Sequence, residues 1–259
     1  GLAPVFGQNY RQKVPMVSVA VSPDNTMKIR AEKQEIDLAY KKDFVAFSRN
    51  LEESLVLNSS DMVFAGYGIV APEYNWNDYA GIDVKGKTVV VLVNDPGFAT
   101  NDPELFNGRA MTYYGRWTYK YEEAARQGAA GLLIVHDDEG AGYPWSVVHN
   151  GAVIPKLYLK PDDGYKNRCL VEGWLTNSAA RKLFETSGYD LDKLIDTASQ
   201  PGLEPIDLNA RVSFEMESTY KEVTSYNIAG MIEGSKYPDE VLIYTAHWDH
   251  LGVGEPVEG

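Results

Sequence analysis

Three stretches of this chain are almost wholly apolar and show no polar alternation: Thr88-Val89-Val90-Val91-Leu92-Val93, Ala130-Gly131-Leu132-Leu133-Ile134-Val135 and Val241-Leu242-Ile243-Tyr244-Thr245-Ala246. Short unbroken runs of this kind fit strands covered on both faces, as in a parallel or mixed sheet. Between the first two, residues 113–127 shift to helical spacing. Tyr121, Ala124 and Ala125 share a face there, and Gly128 stands where the helix should stop. Strand, helix and strand at this separation make a βαβ-like unit. The expected class is therefore α/β, built on a mixed sheet.

The rest of the chain reads around that unit. Residues 12–21 favour a strand, Ser22-Pro23-Asp24-Asn25 a turn, and residues 27–31 a return strand. Asp61-Met62-Val63-Phe64-Ala65 is strand-like and runs into Gly66-Tyr67-Gly68. That Gly-x-Gly lacks the third glycine and the following helix of a dinucleotide site, so the glycines are read as a bend. Residues 140–151 read as loop and 154–159 as a short strand. Asn177-Ser178 is expected to cap a helix that Gly188 ends, with a second helix over 191–197. Residues 208–217 alternate with period two, as in a half-exposed antiparallel strand, and 226–232 form a further strand. This places an insert at about 40–203 between flanking pieces 1–39 and 204–259. Whole-domain insertions are tolerated because a domain's two ends lie close together.

Composition narrows the partners. The 259 residues include 37 acidic and 24 basic side chains, a net charge of −13, which disfavours nucleic acid and anionic membrane surfaces. No run approaches the ~18 apolar residues of a membrane span. The single cysteine, Cys169, permits no intrachain disulfide and is expected to be a small buried residue. The start, Gly1-Leu2-Ala3-Pro4, has no methionine and suggests a trimmed N-terminus.

Chemistry-bearing residues concentrate at the end of the third apolar run, where His247-Trp248-Asp249-His250 follows. Ligands of open α/β sheets sit outside the carboxyl ends of such strands. In extended backbone, His247 and Asp249 would point the same way, one ring nitrogen able to bind a metal while the carboxylate orients the ring. The plain alternative is a strand-end histidine that closes a loop. Elsewhere, His136-Asp137-Asp138 could be grouped as metal donors, but reads more simply as a strand-end loop. No Gly-x-Ser-x-Gly or His-Glu-x-x-His occurs, which removes support for a serine hydrolase or a single-zinc helix site.

Two sets of residues carry a family resemblance. Asn227-Ile228-Ala229-Gly230-Met231-Ile232-Glu233-Gly234-Ser235, followed by Asp239 to Gly252 with His247 and Asp249 inside it, closely resembles the zinc aminopeptidase / glutamate carboxypeptidase family of di-zinc exopeptidases. Phe64-Ala65-Gly66-Tyr67-Gly68-Ile69, Asp78-Tyr79-Ala80-Gly81-Ile82-Asp83-Val84-Lys85-Gly86-Lys87 and Lys120 to Gly131 resemble the protease-associated (PA) domain often inserted in that family. The resemblance implies a mixed-sheet zinc-peptidase half-domain carrying an inserted α+β, β-rich PA domain. It implies His247 as a ligand of one of two zinc ions and Asp249 as the carboxylate that supports it. His250 matches no family ligand and is a candidate for lining the cleft, as are Tyr114 and Arg116. In the family, two zincs activate a water and a glutamate moves its proton, while the PA domain roofs the cleft. The family's remaining ligands do not occur before Gly259, so the 259 residues are read as a fragment. By itself that fragment is expected to hold zinc weakly and to be inactive. The implied partner is a peptide substrate and the implied location is periplasmic or secreted. The rival from another class is a non-catalytic binding module, in which the PA domain makes protein contacts beside a degenerate peptidase domain.

Overall fold

The computed structural model describes residues 1–32, 34–163, 165 and 167–248. Its strands, in chain order, are β1 (Ala3–Pro4), β2 (Arg11–Val21), β3 (Thr26–Ala31), β4 (Gln34–Asp37), β5 (Phe44–Phe47), β6 (Ser54–Phe64), β7 (Val70–Ala71), β8 (Trp76–Asn77), β9 (Thr88–Leu92), β10 (Gly131–Val135), β11 (Lys156–Leu159), β12 (Val171–Leu175), β13 (Ile206–Ile228) and β14 (Gly230–Met231). The helices are α1 (Pro96–Thr100), α2 (Trp117–Arg126), α3 (Asp138–Ala141), α4 (Trp145–Val153), α5 (Asn177–Thr186) and α6 (Leu191–Ala198).

The first two apolar runs are β9 and β10, and every residue of both is buried. They pair in parallel, Thr88 opposite Gly131 through Leu92 opposite Val135, with α2 between them in the chain. Successive side chains of a strand leave on opposite faces. Val90, Leu92, Leu133 and Val135 therefore join one core, with Ala180, Leu183 and Phe184 of α5. Val89, Val91, Leu132 and Ile134 join a second core, with Tyr121 and Ala124 of α2. Each such Val or Leu contributes roughly 1.5–3 kcal/mol by leaving water. Covering both faces is what an unbroken apolar strand requires, and the α/β class follows from it.

The ten-stranded sheet runs β11-β2-β13-β6-β9-β10-β12-β5, with β3 paired to β13 and β4 to β3. The β6-β9, β9-β10 and β10-β12 pairs are parallel, whereas β12-β5, β13-β6, β13-β3 and β11-β2 are antiparallel. The sheet is thus mixed. The period-two stretch lies in β13, where Leu208, Ala210, Val212, Phe214 and Met216 are buried and their neighbours face outward. Thr176, not Asn177, caps α5: its hydroxyl accepts from the Ala179 N–H at 3.2 Å. Residues 140–151, read as loop, instead hold the end of α3 and most of α4. No helix among the described residues is long and apolar enough to cross a membrane.

By internal contacts the chain forms two units, Pro15–Thr224 and Gly1–Val14 with Ser225–Gly259. In the larger unit, β3 and β4 belong to the same sheet as β13. In the smaller unit, β1 pairs antiparallel with β14, and the Ala229 N–H donates to the Tyr10 carbonyl at 2.8 Å.

The third apolar run departs from expectation. Residues 241–246 form no strand. Val241, Leu242, Ile243 and Tyr244 are 80, 81, 73 and 90% exposed. A doubly covered strand needs a neighbour on each side. No other described strand is paired with this run.

Candidate functional site

At the end of that run, His247 is exposed. Beside it the Trp248 indole N–H donates to the Tyr226 carbonyl at 3.2 Å, within the same unit. Asp249 and His250 lie outside the described residues. A zinc centre needs three or four protein donors. Among the described residues no three His, Cys, Asp or Glu side chains come together to hold a metal. The described residues therefore present no complete donor set for zinc.

Tyr114 and Arg116 belong to the larger unit. The Tyr114 hydroxyl donates to Glu73 Oε1 at 2.6 Å, and its ring packs edge-on to Phe106 and Tyr119. The hydrogen bond to Glu73 pushes the Tyr114 pKa up to about 12, so the phenol stays protonated. Arg116 is exposed in extended backbone immediately before α2.

The densest buried polar chemistry surrounds the Gly66-Tyr67-Gly68 bend. Asp78 accepts from the Tyr67 N–H at 3.1 Å, the Ile69 N–H at 3.0 Å and the Trp76 indole at 2.7 Å. Lys120, fully buried on α2, donates to the Tyr67 carbonyl at 2.6 Å and the Tyr114 carbonyl at 3.1 Å. The bend is thus clamped from both sides, through its N–H groups by a carboxylate and through a carbonyl by an ammonium. Gly66 and Gly68 adopt φ of 51° and 65°; a Cβ on Gly68 would stand 2.7 Å from Val91 Cγ1. This packing, filled by the chain's own side chains, is why Gly-x-Gly here makes a bend and not a nucleotide cradle. Burial raises the Asp78 pKa to about 7 and lowers that of Lys120 to about 7, each partly offset by the other's charge. The local sequence does not display this role, since apart from the Trp76 indole the partners are main-chain atoms, as much as 53 positions away.

A second polar group lies at the end of β10. His136 is buried among the rings of Tyr143, Trp145 and Trp174, with Nδ1 3.4 Å from Asp138 Oδ1. It borders a pocket shared with Asp137, Asp138, Thr176, Ser178 and Arg181. Arg181 is held by Asp192 through two hydrogen bonds of 2.8 and 2.6 Å. Burial lowers the His136 pKa against the opposing pull of Asp138 and Asp137. His136 is therefore an enclosed imidazole, not the solvated loop residue its sequence neighbours suggest.

No family model matches the chain, and no curated protein matches it. Among solved structures, it is similar to an aminopeptidase from Aneurinibacillus sp. strain AM-1, with TM-score 0.36 and 15% identity over 87% of this chain and 39% of that one. It is also similar to BSAP, a zinc aminopeptidase from Bacillus subtilis, with TM-score 0.26 and 14% identity over 86% of this chain and 37% of that one. The chain spans under two-fifths of the length of each.

Proposed function

We propose that this chain is part of a zinc-dependent exopeptidase of aminopeptidase type that hydrolyses peptides. The supporting observation is the continuous stretch from Asn227 to Gly252, in which His247-Trp248-Asp249 follows an apolar run. In this reading His247 is one zinc ligand, to be joined by donors that the described residues do not supply. Asp249 orients its imidazole. Residues 40–203 act as a PA domain that roofs the cleft and limits substrate size, with His250, Tyr114 and Arg116 toward the substrate. The protein works outside the cytoplasm, in a periplasmic or secreted setting.

The test is hydrolysis of leucine p-nitroanilide and short peptides by the protein expressed from its complete gene. Activity should be lost with a chelator and restored by zinc. His247→Ala should lower kcat/KM by about 100-fold or more, since even residues that support a metal ligand are worth about 10–100-fold. Hydrolysis that survives chelation overturns the zinc reading. The 259-residue chain alone should be inactive and retain less than one zinc per molecule after dialysis.

A second reading, a non-catalytic protein-binding module, is favoured by the exposed Ile154, Leu157 and Leu159 at and beside the edge strand β11. A complete protein that hydrolyses no peptide but captures a partner through β11 would establish it.

A further inference from the structure

The outer face of the antiparallel strands β3 and β13 carries a block of four hydrogen-bond donors. The register sets Arg30 opposite Arg211 and Lys28 opposite Ser213. Alternate residues of a strand share a face. Met27, Ile29, Ala31, Val212 and Phe214 fill the core side, so Lys28, Arg30, Arg211 and Ser213 stand together on the other. All four line one concavity of about 750 Å³ in the larger unit. That lies within the ~300–1,000 Å³ of small-molecule sites.

Two arginines directly opposite each other repel, and such like-charge pairs destabilise a sheet. Within the chain that repulsion is relieved on one side only. Asp61 of β6 accepts from Arg211 Nε at 2.8 Å, which leaves the terminal nitrogens of that guanidinium to donate elsewhere. Glu35 and Asp37 of β4 stand opposite Arg30 and Lys28. Yet neither cation forms an ion pair or hydrogen bond among the described residues. The Ser59 N–H donates to Ser213 Oγ at 3.0 Å, so the Ser213 hydroxyl keeps its own proton to give. Carboxylates also border the concavity, but Asp61 is engaged by Arg211 and Asp207 by the Asn209 N–H. They confine a negative ligand group to the donor block. Opposed Cβ atoms across such a pair are ~4.5–5.5 Å apart, a span that one tetrahedral oxyanion bridges. Guanidinium groups meet such oxygens through paired, charge-assisted hydrogen bonds.

We propose that Lys28, Arg30, Arg211 and Ser213 bind a dianionic phosphate group, free or as a small phosphate monoester, seated across the β3–β13 pair. Its oxygens accept from both guanidinium groups, and its charge offsets their repulsion. The proposal is independent of the exopeptidase reading, because none of these residues belongs to the proposed zinc site or cleft.

The test is calorimetric titration of the 259-residue chain, at pH 8 and low ionic strength, with inorganic phosphate and with glycerol 3-phosphate. One molecule should bind per chain, and the tighter of the two names the source of the group. Arg30→Gln and Arg211→Gln should each weaken binding at least about tenfold, the worth of one hydrogen bond to a charged group. Lys182→Gln, which removes the same charge from the exposed surface of α5, should leave the affinity unchanged. Without phosphate, Arg30→Gln should unfold at the same urea concentration as the unsubstituted chain or a higher one, because it removes an opposed like charge. Phosphate should then raise the midpoint of the unsubstituted chain and not that of the variant. No saturable phosphate binding, acetate bound as tightly as phosphate, or an equal loss of affinity in Lys182→Gln overturns the proposal. So does a lower midpoint for Arg30→Gln without phosphate, which would make Arg30 a contact of the fold.

Discussion

At the scale of single residues, the side chains with the most consequence are those whose charge is set by burial. His136 takes up a proton less readily in the folded protein than its ordinary value of 6.5. As pH falls through 6.5, the unfolded chain is protonated first. The stability that neutral burial contributes is full above 6.5 and declines as pH drops toward the lower folded value. Asp78, raised to about 7, acts in the opposite direction over the same range, so the His136 contribution is read as a difference: from pH 7 to 5 the urea midpoint of the unsubstituted protein should fall relative to that of His136→Phe. An unchanged slope in the variant would assign the pH dependence to other groups. Gly68 tests the clamped bend. Gly68→Ala faces a left-handed backbone and a Cβ contact of 2.7 Å with Val91. The backbone costs roughly 1–2 kcal/mol and overpacking roughly 1–3. A loss of about 2–5 kcal/mol is expected in equilibrium unfolding, and a loss under 1 would mean that the bend relaxes freely.

Among elements, β12 shows where sequence reasoning stops. Val171-Glu172-Gly173-Trp174-Leu175 is buried throughout and pairs with β10 on one side and β5 on the other. A carboxylate in the middle disguises it as surface. Glu172 is tolerated because Arg49, 123 positions earlier, meets it at 2.5 Å. Such a pairing leaves no local trace. Removing one partner of a buried pair costs about 3–5 kcal/mol, while replacing both with apolar groups is often neutral. Arg49→Met should thus destabilise by about 3–5 kcal/mol, and Arg49→Met with Glu172→Met should regain most of it. A double variant no more stable than the single would show that the pair itself holds the β12-β5 edge. In contrast, β9, β10, α2 and β13 were legible because their burial is written in period and composition. Helix α4 was missed: Val147, Val148 and Gly151 weaken its helical signal, and Pro144 just before it looks like loop punctuation. The run at 241–246 was read correctly as apolar but wrongly as covered, since covering depends on neighbours that a local pattern does not reveal.

For the molecule as a whole, the mixed sheet and its two cores account for how residues 15–224 hold together, and His247 belongs to the other unit. The His-x-Asp at the end of an apolar run singles out His247 and Asp249 in the sequence, and the resemblance tips that pair from a plain loop closure toward a metal site; the donors that would complete such a site are not its neighbours in sequence. The exposed run itself has a further consequence. Val241-Leu242-Ile243-Tyr244-Thr245-Ala246 has no charge, no proline and no glycine, and its first four side chains are at least 73% exposed. Six-residue segments of this composition stack readily into cross-β fibrils. The 259-residue chain, concentrated by itself, should form thioflavin-T-positive aggregates seeded at this segment. Ile243→Asp should lengthen the lag severalfold without moving the melting temperature of the larger unit. A segment or partner that covered this run would also guard it against self-assembly.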